Sequence, residues 1–207
     1  METEGITRRS FCASACGVLV LTALGAVKVC PTEELVRPPG GQDEEALLAR
    51  CIRCQRCVEA CPQGVISPVH IEKGVTNVRT PRLVFSDSWC DWCEREAQGT
   101  PLCVAACGTG ALSVPEGATR KNVVMGLAVI DKDLCLAHRQ MKCRTCHDAC
   151  PYDAMEIDAA GRPVVIDKLC TGCGACEAAC VSLVNASVGD EVDRRAITVV
   201  PPGRLQE

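Results

Sequence analysis

At 207 residues the chain has room for one or two small domains, and its formal charge of −4 leaves no basic face for a nucleic-acid partner. Its only aromatic residues are Phe11, Phe85, Trp89, Trp92 and Tyr152, while nineteen cysteines make up about a tenth of the sequence, so large core-fillers are replaced by thiols. No Gly-rich phosphate loop, Ser/His/Asp set or pair of catalytic carboxylates stands out. The histidines His70, His138 and His147 are scattered. The chain therefore reads as a non-enzyme, with no catalytic residues and no substrate site of its own.

Residues 1–30 read as a targeting segment. Arg8 and Arg9 precede Phe11 and an apolar stretch to Val27, the pattern of a twin-arginine (Tat) export signal. Ala23-Leu24-Gly25 suits a signal peptidase only loosely, and about seventeen apolar residues are also long enough to stay as an anchor. Either way the expected location is the periplasm or the outer face of the cytoplasmic membrane. Residues 31–45 read as a linker, because Arg37-Pro38-Pro39-Gly40-Gly41 disfavours both helix and strand, and it leads to a helix from about Glu44 to Arg50. Residues 46–201 are organised by cysteine, and 202–207 form a tail.

Four cysteine groups follow at roughly forty-residue spacing, an internal repeat whose unit is half of a ferredoxin. The first is Cys51, Cys54, Cys57 and Cys61, followed by Pro62; the fourth is Cys170, Cys173, Cys176 and Cys180. Both have the C-x2-C-x2-C-x3-C spacing of bacterial ferredoxins, in which three thiolates wrap one corner of an iron–sulfur cube and the next reaches a different cube. Small residues such as Gly172, Gly174 and Ala175 let a backbone come close. The second group (Cys90, Cys93, Cys103, Cys107) and the third (Cys135, Cys143, Cys146, Cys150, then Pro151) are the same set with one insertion each. Sixteen thiols supply four ligands to each of four [4Fe–4S] clusters. Cys12, Cys16 and Cys30 lie in or beside the apolar signal, where cysteine behaves as a small hydrophobe, and are left out.

Strands are expected at Ala154–Asp158 and Pro163–Asp167, joined through Ala159-Ala160-Gly161-Arg162 as a hairpin. A similar pair is expected from Ala111–Val114 and Gly126–Asp131, and Ile197–Val200 closes the sheet. The fold class is α+β: tandem ferredoxin-like dicluster modules of short strands and helices around four clusters, after an N-terminal signal helix.

Other uses of the cysteines fit less well. Thiols two residues apart are too crowded for independent disulfides of good geometry. Zinc takes paired knuckles and would leave a surplus thiol in each consecutive triplet. Cys143-Arg144-Thr145-Cys146-His147 is a literal haem-attachment motif, but haem would orphan Cys135 and Cys150. Thiol–disulfide chemistry uses isolated pairs, not interlocked quartets. Trp89 and Trp92, flanking Cys90, are expected to pack over a cluster and keep water from it, with a docking role as the alternative.

The chain resembles the MauM/NapG family of quinol-dehydrogenase-associated ferredoxins. The resemblance rests on the twin arginines, Arg37-Pro38-Pro39-Gly40, the spacing of Cys90, Cys93, Cys103 and Cys107, and Met125-Gly126-Leu127-Ala128-Val129. It also rests on the gap from Cys135 to Cys143 and on Cys170-Thr171-Gly172-Cys173-Gly174. It implies a carrier that relays electrons from a membrane-bound, NapH-like quinol oxidase to a periplasmic reductase such as nitrate reductase. The alternative is an iron–sulfur subunit bound permanently to a molybdopterin oxidoreductase or hydrogenase. Gly108 stands where the family often has proline, and the tail after Pro202 is short. Related sixteen-cysteine subunits imply that group one shares its sites with group four, and group two with group three.

Overall fold

The computed structural model describes residues 35–95, 99–184 and 194–203, together with Gly17. The twin-arginine segment, Cys12, Cys16 and Cys30 lie outside the described residues. Among those described, no helix is long and apolar enough to cross a membrane.

The stretch before the first helix is a packed lead-in. Arg37, Pro38 and Pro39 are buried. The Arg37 guanidinium donates to both carboxylate oxygens of Glu44, to Thr80 Oγ1 (2.9 Å) and to the Pro81 carbonyl (2.7 Å), so a buried charge is matched in full. Helix α1 (Glu44–Arg50) forms where the sequence predicts it. Asp43 caps it by accepting from the Ala46 N–H, Glu44 and Glu45 sit at the positive end of the dipole and Arg50 at the negative end. Its apolar Leu47 is fully buried.

Beyond α1 every regular element is short. Single-turn helices α2 (Arg56–Glu59), α3 (Leu102–Ala105) and α4 (Thr145–Asp148), and the slightly longer α5 (Ala175–Ala179), each carry the third cysteine of a group. Helices this short do not persist alone. Packing holds them, α2 against α3 and α4 against α5.

The strands form two-stranded antiparallel ribbons. β1 (Ile66–Pro68) pairs with β2 (Pro81–Leu83) between groups one and two. Separately, His70–Val78 makes two 3-10 turns, Ile71–Lys73 and Val75–Asn77. β4 (Met155–Ile157) and β5 (Pro163–Val165) form the hairpin expected between groups three and four. Asp158 closes it, accepting from Ala160 N–H, Arg162 N–H and the Arg162 guanidinium. β6 (Leu183–Val184) pairs with β7 (Arg194–Arg195).

The second expected pair does not form. β3 (Leu127–Ile130) pairs instead with β8 (Ile197–Val200), the strand after the last group. Ala111–Val114 is irregular because its donors are used elsewhere: Leu112 N–H points to Cys107 Sγ (3.3 Å) and Ser113 N–H to the Gly40 carbonyl (3.2 Å). Its neighbour is therefore the lead-in, where Pro38 and Pro39 have no N–H to give a ladder.

Arg195 ties the last strands to the fourth group. Its guanidinium donates to the carbonyls of Glu177 and Ala178 at the end of α5 and to that of Ser86. The Glu177 carboxylate accepts from Val199 N–H at 2.6 Å.

Candidate metal centres

The residue immediately before the second cysteine of every group has positive φ: Arg53 (60°), Trp92 (64°), Lys142 (49°) and Gly172 (71°). Left-handed residues are costly for all but glycine, so their recurrence in four unlike sequences marks a shared requirement. Such turns gather successive backbone N–H groups into a concave nest suited to an anionic centre.

The thiols collect into quartets. Cys51, Cys54, Cys57 and Cys107 line one cavity of about 290 Å³. A second cavity is lined by Cys135, Cys143, Cys146 and Cys180, and a third by Cys150, Cys170, Cys173 and Cys176. The four remaining thiols also stand together, Cys61 beside Cys90 and Cys103, and Cys93 beside both. Each quartet takes the first three cysteines of one group and the last of its partner.

This overturns the pairing implied by related subunits. Cys61 lies with the second group rather than with Cys173, so group one exchanges its fourth cysteine with group two, and group three with group four. The physical reason is helix packing: the helices carrying consecutive groups, α2 with α3 and α4 with α5, lie side by side. The two halves still touch, through a 2.9 Å bond from Cys90 N–H to the Cys173 carbonyl.

All sixteen described cysteines are free thiols. Among the described residues no three His, Cys, Asp or Glu side chains converge as ligands of a single metal ion would. Three of the quartets line cavities, the first of about 290 Å³, which suits a multi-atom group better than a zinc ion. Packing these thiols together is electrostatically costly. Burial, with repulsion from Cys51, pushes Cys57 up to about 11. Burial likewise raises Cys90 to about 12 and Cys146 and Cys173 to about 11, and it drives Cys103 and Cys176 higher still, with neighbouring thiols adding to each. Cationic iron is what would hold such sulfurs as thiolates.

Donors for the sulfurs are in place. Leu112 N–H faces Cys107 Sγ and Ala154 N–H faces Cys150 Sγ, both at 3.3 Å, and Ala128 N–H lies 3.5 Å from Cys170 Sγ. Burial raises Cys107, but the Leu112 and Thr109 hydrogen bonds outweigh it and leave that thiol lowered. Four thiols, apolar walls and N–H donors fit an iron–sulfur cube, which when bound stores and releases single electrons without making or breaking a substrate bond.

The haem-like motif is absorbed by this arrangement, since Cys143 and Cys146 share a cavity with Cys135 and Cys180. His147 sits on α4 with Nδ1 2.9 Å from Asp148. Trp92 is buried, its indole N–H donating to the Gly99 carbonyl, and Trp89 is half-buried against the core that holds Cys90 and Cys103. Trp92 is thus a packing residue, not a docking one. Gly172 and Gly174 serve packing too. A Cβ on Gly172 would lie 2.3 Å from Gly126 N, and one on Gly174 2.0 Å from the Phe85 ring. Sequence reasoning assigned those glycines to approach toward the metal group and missed the protein neighbours, as it missed Arg37 and Arg195.

The 4Fe–4S dicluster domain family matches residues 50–112 and 141–184; the first segment holds all of groups one and two, and the second holds groups three and four except Cys135. The chain is 34% identical to the ferredoxin-type protein NapG of Escherichia coli K12, over 70% of this chain and 66% of that protein, so it spans just under two-thirds of NapG. It is 32% identical to the methylamine utilization ferredoxin-type protein MauM of Paracoccus denitrificans, over 96% of this chain and 92% of that one. Identity to the ferredoxin-type protein NapF of E. coli K12 is 30%, over 73% and 84%. With its nests, thiol quartets and dicluster segments, the chain belongs to the MauM/NapG-type ferredoxins and is an iron–sulfur electron-transfer protein.

Proposed function

We propose that the sixteen cysteines hold four [4Fe–4S] clusters, and that the chain relays electrons from a membrane-bound, NapH-like quinol oxidase to a periplasmic reductase such as nitrate reductase. The observation that carries the cofactor reading is the quartet arrangement, in which the sixteen cysteines among the described residues divide into four sets of four. The likeness to NapG and MauM supports the redox-chain role. Residues 1–30 direct export by the Tat route, which carries proteins already folded around their cofactors, residues 31–45 link the signal to the four-cluster region of 46–201, and 202–207 form a tail. No residue here activates a substrate; the protein spaces its redox centres and sets their potentials through charge, hydrogen bonds and burial.

Iron and acid-labile sulfide analysis of anaerobically prepared protein tests the count, with about sixteen of each expected per chain. About eight would reduce the reading to two centres. Replacing Arg8 and Arg9 by lysine should hold the protein in the cytoplasm, and unchanged export would remove the Tat assignment. Anaerobic reduction by membrane vesicles containing the quinol oxidase tests the relay, and failure to reduce the clusters would favour the alternative of a fixed subunit in a molybdopterin or hydrogenase complex.

A further inference from the structure

The cavities differ in the charge of their walls. That of Cys51, Cys54, Cys57 and Cys107 is lined by Arg53, Arg56 and Arg79 and by no acidic residue. The cavities of the third and fourth groups are lined by no charged side chain other than their cysteines. Beside the remaining quartet stands a carboxylate, Asp91, between Cys90 and Cys93, accepting from Cys93 N–H at 2.9 Å.

The Gln55 side chain orients Arg79. Arg79 donates through Nε (3.1 Å) and Nη2 (2.5 Å) to the Gln55 side-chain oxygen when that amide faces it. Arg56 Nη1 lies 3.8 Å from where a side chain on Gly108 would begin, directly after Cys107. Gly108 has no side chain and leaves that space to the guanidinium. The rim also faces water: Arg53, Arg56, Arg79 and Cys54 are exposed, as is Ile52 at 69%.

We propose that Arg53, Arg56 and Arg79 raise the reduction potential of the centre in this cavity above those of the other three, making it the electron-accepting end of the wire. The proposal rests on the four-cluster reading given above. Each electron passed on from a reduced neighbouring cluster makes the site one unit more negative, and no proton or bond need move. Guanidinium groups remain charged at any working pH, and fixed positive charge beside an anionic centre favours its reduced form. Exposure acts in the same direction, because water solvates the added charge. Asp91 opposes reduction at the neighbouring quartet, so the step from that site to this one runs downhill. These are tuning residues, not ligands.

The test is an EPR-monitored redox titration of the full, iron-loaded chain, comparing wild type with R56Q/R79Q and R56K/R79K. Cys54→Ser assigns the couple, since replacing that rim thiol alters the spectrum of this site alone. In the glutamine variant the reduction equilibrium of that couple should fall about tenfold, or about 59 mV for one electron, with the others unmoved. Lysine should restore most of it, which a merely structural role would not predict. An unmoved couple, a uniform shift of all couples, or no signal sensitive to Cys54 would each overturn the proposal. Iron content of the same samples separates this outcome from failure of the four-cluster reading: full iron with no selective shift sinks only the arginine assignment.

Discussion

Cys51-Ile52-Arg53-Cys54-Gln55 and Cys170-Thr171-Gly172-Cys173-Gly174 run through the same turn. Arg53 and Gly172 have φ of 60° and 71°, and Gln55 (φ 66°, ψ 8°) matches Gly174 (φ 84°, ψ 1°) as the left-handed residue that opens the next helix. The surroundings are opposite. Residues 171–176 are buried throughout, with Cys173 at 7% exposure, whereas Ile52, Arg53 and Cys54 face solvent. In the fourth group the absence of side chains lets Gly126 and Phe85 close over the loop. In the first, long side chains at the same positions keep the turn at the surface and add positive charge. Cysteine spacing thus sets the turn, and the residues between decide whether it becomes a buried junction or an exposed rim.

Transplanting the first loop's side chains into the fourth is the severest way to break this comparison. G172R/G174Q adds Cβ atoms 2.3 Å from the Gly126 backbone and 2.0 Å from the Phe85 ring at positions of positive φ. Left-handed strain and overpacking together should cost about 4–6 kcal/mol, enough to unfold a domain of ordinary stability. Chemical denaturation should show a collapsed midpoint, and a near-wild-type midpoint would mean that burial of the loop is not what the glycines provide.

Arg37→Met should cost about 2–3 kcal/mol, because it leaves Thr80 and the Pro81 carbonyl without their buried donor and releases the lead-in from β2 and α1. Glu44 is half exposed and regains water, which keeps the loss below that of a fully buried pair. Thermal melting measures it. A large loss would show that the exposed half of the molecule depends on this arginine for an anchor that the buried half obtains from Phe85.

The reverse loop swap, R53G/Q55G, should change stability by less than about 1 kcal/mol in either direction. Relief of left-handed strain is offset by the greater freedom glycine gives the unfolded chain and by loss of the surface bonds from Arg79 to Gln55. Loss of several kcal/mol would show that the contacts of these two side chains hold the loop together.

The smallest effect lies away from both loops. Arg162 and the turn N–H groups hold the Asp158 carboxyl below its ordinary value. Its folded pKa is depressed, so its contribution is present above the unfolded value of about 3.9 and is lost as pH falls through the lower folded one. Asp158→Asn should remove a slight decline in stability below about pH 4. An unchanged acid profile would show that this hairpin clasp contributes nothing.

Much of the architecture is legible in one dimension. The cysteine groups, α1 (Glu44–Arg50) with its Asp43 cap and the β4–β5 hairpin all rest on contacts within a few residues of one another, and local chemistry specifies them. The partner of β3, the roles of Arg37 and Arg195 and the closure of the fourth-group loop by Phe85 rest on contacts between residues far apart. No periodicity marks those.

By itself the sequence determined that sixteen thiols stand in four ferredoxin-like groups, because short-range spacing dictates how a loop can wrap one centre. Only the tertiary structure decided which groups exchange a cysteine and which cavity carries positive charge. Closing a longer loop costs only slightly more entropy than closing a shorter one, so chain distance could not choose between partners. Helix packing, two glycine contacts and the reach of three arginines made the choice.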